Sequence, residues 1–336
     1  MKKRLLPILF AMLAAAFYAI NIPFSKLLLR EIPPTLMAGF LYLGAGIGVG
    51  IMFLLTAKKT PKDELLGRSD VPYVIGMILL DIIAPILLMF GIRGTTSANA
   101  SLLNNFEIVA TSLIALLIFK ETISKKLWFA ISMITVSGAL LTFDVSSLQF
   151  SWESLFIIGA ALCWGFENNF TKMISAKSSY EIVTVDGLCC GIGSIIVGVI
   201  IGERVSASVY LLLSLALGFV AYGLSVLFYV KAQNVLGAAK TSAFYAINPF
   251  IGVILSFIVF REIPGWNFYV ALAIMIIATA FIIVDTLERR HTHMHIHTVT
   301  HTHGGSTHTH KIEHSHPHGH FGDENNHRHK HFKFRF

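Results

Sequence analysis

The chain of 336 residues is 54% hydrophobic and 13% charged, with 26 Lys and Arg against 19 Asp and Glu and a formal net charge of +7. Soluble proteins carry about 25% charged residues, so a mean hydropathy of +0.69 excludes a soluble enzyme, a nucleic-acid-binding domain and a secreted disulfide scaffold. All 15 histidines fall between His291 and His331, which divides the chain into an apolar body and a polar tail.

Ten stretches of the body reach the roughly 20 apolar residues that a helix needs to cross a bilayer while satisfying its own backbone. In chain order they are about 5–29, 35–57, 71–92, 95–119, 126–143, 152–174, 180–202, 209–231, 237–260 and 265–286. The runs are continuous rather than alternating, which excludes a transmembrane β-barrel. The opening Met-Lys-Lys-Arg and its apolar run have the form of a secretory leader. The segment has a counterpart later in the chain, so it is expected to remain as the first span. Positive residues favour the cytoplasmic side. With the N-terminus inside, that side receives Lys2, Lys3, Arg4, Lys58, Lys59, Lys62, Arg68, Lys120, Lys125, Lys126, Lys172, Lys177, Lys231 and Lys240. The other side receives only Lys26, Arg30, Arg93, Arg204 and Arg261. Both termini are therefore expected in the cytoplasm, in a bacterial-type inner membrane.

The body repeats itself. Ala15 to Lys26 (AAFYAINIPFSK) aligns with Ala161 to Lys172 (ALCWGFENNFTK), Phe119-Lys120-Glu121 with Phe260-Arg261-Glu262, and Asp144 with Asp285. Each copy holds five spans, an odd number, so the second copy must sit upside down in the bilayer. Inverted repeats are a transporter signature, with substrate held near the midplane between the halves. The expected fold is an all-α polytopic membrane protein of ten transmembrane helices in two inverted five-helix repeats, 1–147 and 148–288, followed by a His-rich cytoplasmic tail, 289–336, expected to be disordered.

These residues resemble paired EamA domains of the drug/metabolite transporter superfamily. The stretches that carry the likeness are Tyr18 to Lys26, Glu31-Ile32-Pro33-Pro34, Pro85 to Gly91, Thr96 to Glu121, Trp164 to Lys172 and Asn248 to Glu262. Ala100 to Glu107, together with a tail such as His314-Ser315-His316-Pro317-His318, resembles one bacterial branch. The resemblance implies a central cavity and the export or exchange of amino acids, nucleosides or related metabolites. Asp81 departs from the small residues that the resemblance implies at its position.

A charge at the bilayer centre costs about 2.5–3.5 kcal/mol on insertion scales, so acids inside spans mark function by default. Asp81, Glu107 and Glu167 lie well inside spans and lack a basic partner at the same depth in their own helices. A carboxyl in low dielectric favours its neutral form, which suits proton coupling; ionised, it suits a substrate ammonium group. Asn21, the counterpart of Glu167, is expected to orient the solute with Asn105 and with Asn248, the counterpart of Glu107. Ser101 and Ser242 match across the repeat and offer hydroxyls, or serve helix contact. Tyr18 and Trp164 are candidates for the cavity wall. Pro23, Pro85 and Pro249 remove backbone bonds inside spans and are candidate hinges. Gly44, Gly46, Gly48 and Gly50 form two overlapping G-x-x-x-G spacings, which read as close helix packing. Cys163, Cys189 and Cys190 contain no C-x-x-C, and no G-x-x-x-x-G-K nucleotide loop occurs.

The tail carries His291, His293, His295, His297, His301, His303, His308, His310, His314, His316, His318, His320, His327, His329 and His331. Neutral imidazoles suit Zn, Ni, Co or Cu, and such tracts read as metal-binding. No cofactor is expected for the body. The leading expectation is a secondary transporter exporting a small polar metabolite, an amino acid or related solute, by alternating access. A proton serves as coupling ion, the partners are the lipid bilayer and the solute, and a homodimer is compatible. The alternatives are a transition-metal efflux or homeostasis transporter using the tail, and a membrane metal sensor.

Overall fold

The computed structural model describes residues 2–56, 60–118, 124–144, 149–204, 208–236, 241, 244–261, 264–287, 289–303 and 306–320. Ser242, Lys120, Glu121, Glu262, His327, His329 and His331 lie outside the described residues, as do the side chains of the other tail histidines.

Each expected span carries helix. Span 1 is α1 (Lys2–Ala19) and α2 (Asn21–Leu28), and spans 2 and 3 are α3 (Pro34–Thr56) and α4 (Val71–Gly94). Span 4 divides into α5 (Ser97–Leu103) and α6 (Phe106–Leu117), and span 5 is α7 (Lys125–Thr142). The second half follows as α8 (Trp152–Ile174), α9 (Ser179–Ile200), α10 (Ser208–Gly218), α11 (Ser225–Leu236), α12 (Asn248–Phe260) and α13 (Trp266–Leu287). A π-helical turn, Phe219–Leu224, joins α10 to α11 within span 8. Six of these helical stretches are long and apolar enough to cross a membrane, and α12 is a shorter apolar helix. Leu54, Leu55, Val199, Ile200 and Ile258 are more than 60% exposed, an outer surface that only lipid would cover favourably.

Interruptions fall where the backbone chemistry asks for them. Pro23 lacks the N–H that would reach back to Ala19, and the chain turns at Ile20 between α1 and α2. Asn104 and Asn105, weak helix formers, make the tight turn between α5 and α6. The equivalent turn, Ala246-Ile247, precedes Asn248-Pro249, with proline in the first turn of α12 where its missing donor costs least. Pro85, by contrast, lies inside an α4 continuous from Val71 to Gly94, so no turn marks a hinge there.

Equivalent spans of the two halves meet, and they meet antiparallel. Between α3 and α9, Leu36 packs on Gly198, Gly39 on Ile195, Gly46 on Gly187 and Gly50 on Thr184. Ser97 bonds Ser256 at 2.8 Å while Ser101 abuts Gly252, pairing α5 with α12. The Ser137 hydroxyl donates to the Ala271 carbonyl at 2.9 Å, and Phe129 contacts Phe281, pairing α7 with α13. The remaining contacts exchange under the same symmetry: α4 packs on α8, and α1 on α11. A two-fold relation that sets equivalent helices antiparallel has its axis across them, so the two halves are inverted. The glycines serve the packing expected of them. Gly46 and Gly50 face α9, whereas a Cβ on Gly44 or Gly48 would run into the Leu215 carbonyl or the Phe219 ring.

Val284–Phe336 forms a separate unit. Instead of the disordered tail expected, β3 (Arg289–His303) pairs antiparallel with β4 (Ser306–His320). Thr, Val and Ile interleave with the histidines, and this alternation has the period of a strand. Two shorter strands, β1 (Phe143–Asp144) and β2 (Gln149–Phe150), pair between the halves.

Candidate solute-binding cavity

Four carboxyls converge on one cavity. Asp81 comes from α4, Glu107 from the first turn of α6, Glu167 from the second half of α8 and Asp186 from the second turn of α9. With the open space at its mouth the cavity measures about 800 Å³. Among the described residues no Lys, Arg or His lines it. Its remaining polar wall is Asn168, Thr171, Ser225 and the phenols of Tyr18, Tyr42, Tyr222, Tyr229 and Tyr245, with Trp164 beside them. These residues run from mid-span to the end where α4 and α9 begin and α8 and α11 finish. The opposite end is filled. There the Glu153 backbone packs on Gly91, and Lys26 donates to the Thr95 carbonyl. The Glu203 carboxylate accepts the Thr35 and Leu36 N–H groups at 3.3 and 2.9 Å.

The carboxyls differ in their partners. Glu107 accepts from Asn168 Nδ2 at 2.8 Å, and Glu167 from the Thr171 hydroxyl one turn on. Both are half-buried and face the open space. Asp81 and Asp186 are buried, 5% and 8% exposed, and stand beside each other across α4 and α9. Cys190 donates its S–H to Asp186 at 3.1 Å. One oxygen of Asp81, Oδ1, is buried with no hydrogen-bond partner. The aromatic wall is continuous: Tyr18 meets Trp164 edge-on at 6.3 Å and Tyr222 at 5.5 Å, Tyr42 meets Tyr222 at 4.9 Å, and Tyr229 meets Tyr245 at 5.1 Å. Electron-rich ring faces next to carboxylates attract organic cations.

Of the residues anticipated from sequence, Glu107, Glu167, Asp81, Tyr18 and Trp164 come together here. Asn21, Asn105, Ser101 and Asn248 do not line the cavity. Asn21 is buried behind the wall, where its Nδ2 donates to the Tyr222 hydroxyl at 3.0 Å. Asn105 donates to the Met275 sulfur at 3.4 Å, and Ser101 bonds the Ser97 carbonyl at 2.9 Å against Gly252. Asn248 is buried at the start of α12. Repeat equivalence put Asn21 and Asn248 at the right depth, but the cavity occupies one end only, so their counterparts Glu167 and Glu107 line it instead. The symmetry reaches side chains: Ser25 donates to Asn21 at 2.9 Å as Thr171 does to Glu167.

Sequence reasoning missed Asp186, Asn168, Thr171 and four tyrosines. Asp186 lies two turns inside a helix that opens at Ser179, about 10 Å along its axis at 1.5 Å per residue. Its position near a span end reads as interfacial. The Asp186-x-x-x-Cys190 spacing, one helical turn, was the available signal.

An all-helical bundle of two inverted halves with a carboxyl-lined cavity reaching mid-span defines the class: a membrane transporter. A model of the EamA-like transporter family matches residues 5–143 and again 151–284, and the chain belongs to that family. It is 26% identical over 273 residues to an uncharacterized transporter of Methanothermobacter thermautotrophicus, covering 74% of this chain and 78% of that one. It is 26% identical over 232 residues to the uncharacterized inner membrane transporter YedA of Escherichia coli K12, covering 66% and 72%. One crystal structure of a protein shares the fold at a TM-score of 0.65 and 13% identity, covering 83% of this chain and 96% of that one.

Proposed function

We propose that the protein moves a small solute bearing an ammonium group out of the cell by alternating access, in exchange for a proton. One observation carries this reading: four carboxyls and a ring of phenols line a cavity that, among the described residues, holds no basic side chain. An anionic solute would meet uncompensated repulsion there, whereas an amine finds both charge and π-faces. Amino acids and related amines are the leading solutes, with the amine rather than the carboxylate as the recognised end.

Asp81 and Asp186 are the seat of the proton. Two buried carboxyls side by side, with no cation beside them among the described residues, repel each other when both are ionised, so in this reading the pair shares a proton. An ammonium entering beside Glu107 and Glu167 supplies a positive charge that releases it. One proton leaves as one amine arrives, and the exchange is electroneutral. The Lys/Arg bias puts the open end in the cytoplasm, and the inner-membrane residence of relatives such as YedA supports the cytoplasmic membrane as the location. Transition-metal cargo fits less well, because such ions favour imidazole and thiolate over a carboxylate and phenol wall.

In proteoliposomes, an inward proton gradient should drive amine efflux without current. Asp81→Asn and Asp186→Asn should each abolish proton counterflow while retaining amine-for-amine exchange. Flux of anionic solutes only, or amine flux that generates current, overturns the proposal.

A further inference from the structure

The carboxy-terminal unit places its histidines in a way that composition does not require. The β3–β4 register sets His291 opposite His318, His293 opposite His316, His295 opposite His314 and His301 opposite His308. Successive residues of a strand belong to opposite faces of the sheet. Histidines of β3 all sit at odd positions, and the register partners of those in β4 are all odd as well. All the histidines of both strands therefore occupy one face. The other face holds Thr292, Met294, Ile296 and Thr298 opposite Pro317, Ser315, Glu313 and Lys311. A slip of one residue would move one strand's histidines to the other face.

We propose that this face is a two-site array for divalent transition-metal ions of the Zn2+ and Ni2+ class, each ion shared by the two strands. Opposite positions lie about 5 Å apart, and next-nearest positions on one strand about 7 Å apart. Adjacent rungs thus bring up to four histidine positions together on one face. Neutral imidazole is the ligand these ions take, with metal–nitrogen bonds of about 2.0–2.1 Å. The three consecutive rungs from His291–His318 to His295–His314 form one site. The His301–His308 rung, with His303 and His310 next to it on the same face, forms the second. The rung between the blocks, His297 opposite Ile312, holds a single histidine position and separates them.

The test keeps composition constant and changes only the face. In the full chain, Thr292→His with His293→Thr, and Met294→His with His295→Met, move two histidines across the sheet. Calorimetric titration of the purified protein with Zn2+ and with Ni2+ should show two ions per native chain. In the face-exchanged variant one ion should weaken by about 10-fold or more while the other is unchanged, an internal control for a sound protein. His301→Asn with His308→Asn should do the converse. Unchanged number and affinity in the face-exchanged variant would show a chelator that acts by composition alone and overturn the array.

Discussion

Glu107→Gln isolates charge from everything else at that position. Glutamine keeps the volume and still offers an oxygen to Asn168 Nδ2, which now sits 2.8 Å from Glu107 Oε1, so the packing of α6 against α8 is preserved. What disappears is the attraction between a carboxylate and an ammonium. At a separation of about 4 Å and an effective dielectric of about 20 that attraction is about 4 kcal/mol. Glu107 is only half-buried and Glu167 remains nearby, so about half of it, roughly 2 kcal/mol, should be lost. At about 1.4 kcal/mol per decade this is a rise of about 30-fold in Kd for an amine solute. Binding would be measured by calorimetry on the detergent-purified protein and flux in proteoliposomes, with thermal unfolding as the check that stability is kept. A Gln variant that binds and carries the amine with native constants would refute the electrostatic reading of the cavity.

Two further predictions concern the scaffold. Gly44→Val should destabilise the bundle by about 1–3 kcal/mol, because its Cβ would collide with the Leu215 carbonyl, which cannot move without the helix. Gly159→Ala should be nearly neutral, since its Cβ would meet only the flexible tip of Leu87 at 3.3 Å. Thermal unfolding in detergent compares the two, and equal losses would sink the packing argument. Glu203→Gln should cost about 1 kcal/mol by weakening the carboxylate cap on the first N–H groups of α3. Its signature is faster amide exchange at Thr35 and Leu36, and unaltered exchange there would disprove the cap.

The fold was legible because its determinants are local or repetitive. A continuous apolar run of about 20 residues has few solutions in lipid, and an odd-numbered repeat leaves only inversion. Glu107, Glu167 and Asp81 were legible for a related reason: a charge inside a span is conspicuous. Asn168, Thr171 and the tyrosines were not, because the face a helical side chain presents depends on where neighbouring helices cross. Hydropathy carries no such information. The tail hairpin was hidden differently, since polar composition suggests disorder while a period of two argues for strand.

The asparagines that failed to line the cavity gain a meaning from the inverted symmetry. Alternating access between equivalent halves closes one end as the other opens. In the present arrangement the span-6 residues Glu167 and Thr171 line open space, while their span-1 equivalents Asn21 and Ser25 are sealed in packing. If the halves exchange conformations during the proposed cycle, Ser25 should emerge at the opposite end and Thr171 should close. In a background with Cys163, Cys189 and Cys190 replaced, Ser25→Cys should react with a membrane-impermeant thiosulfonate only from the outside, and faster during turnover. Thr171→Cys should react only from the inside, and more slowly under the same conditions. Ser25→Cys that stays inert through sustained transport would mean that the halves do not exchange roles and that the cavity empties by another route.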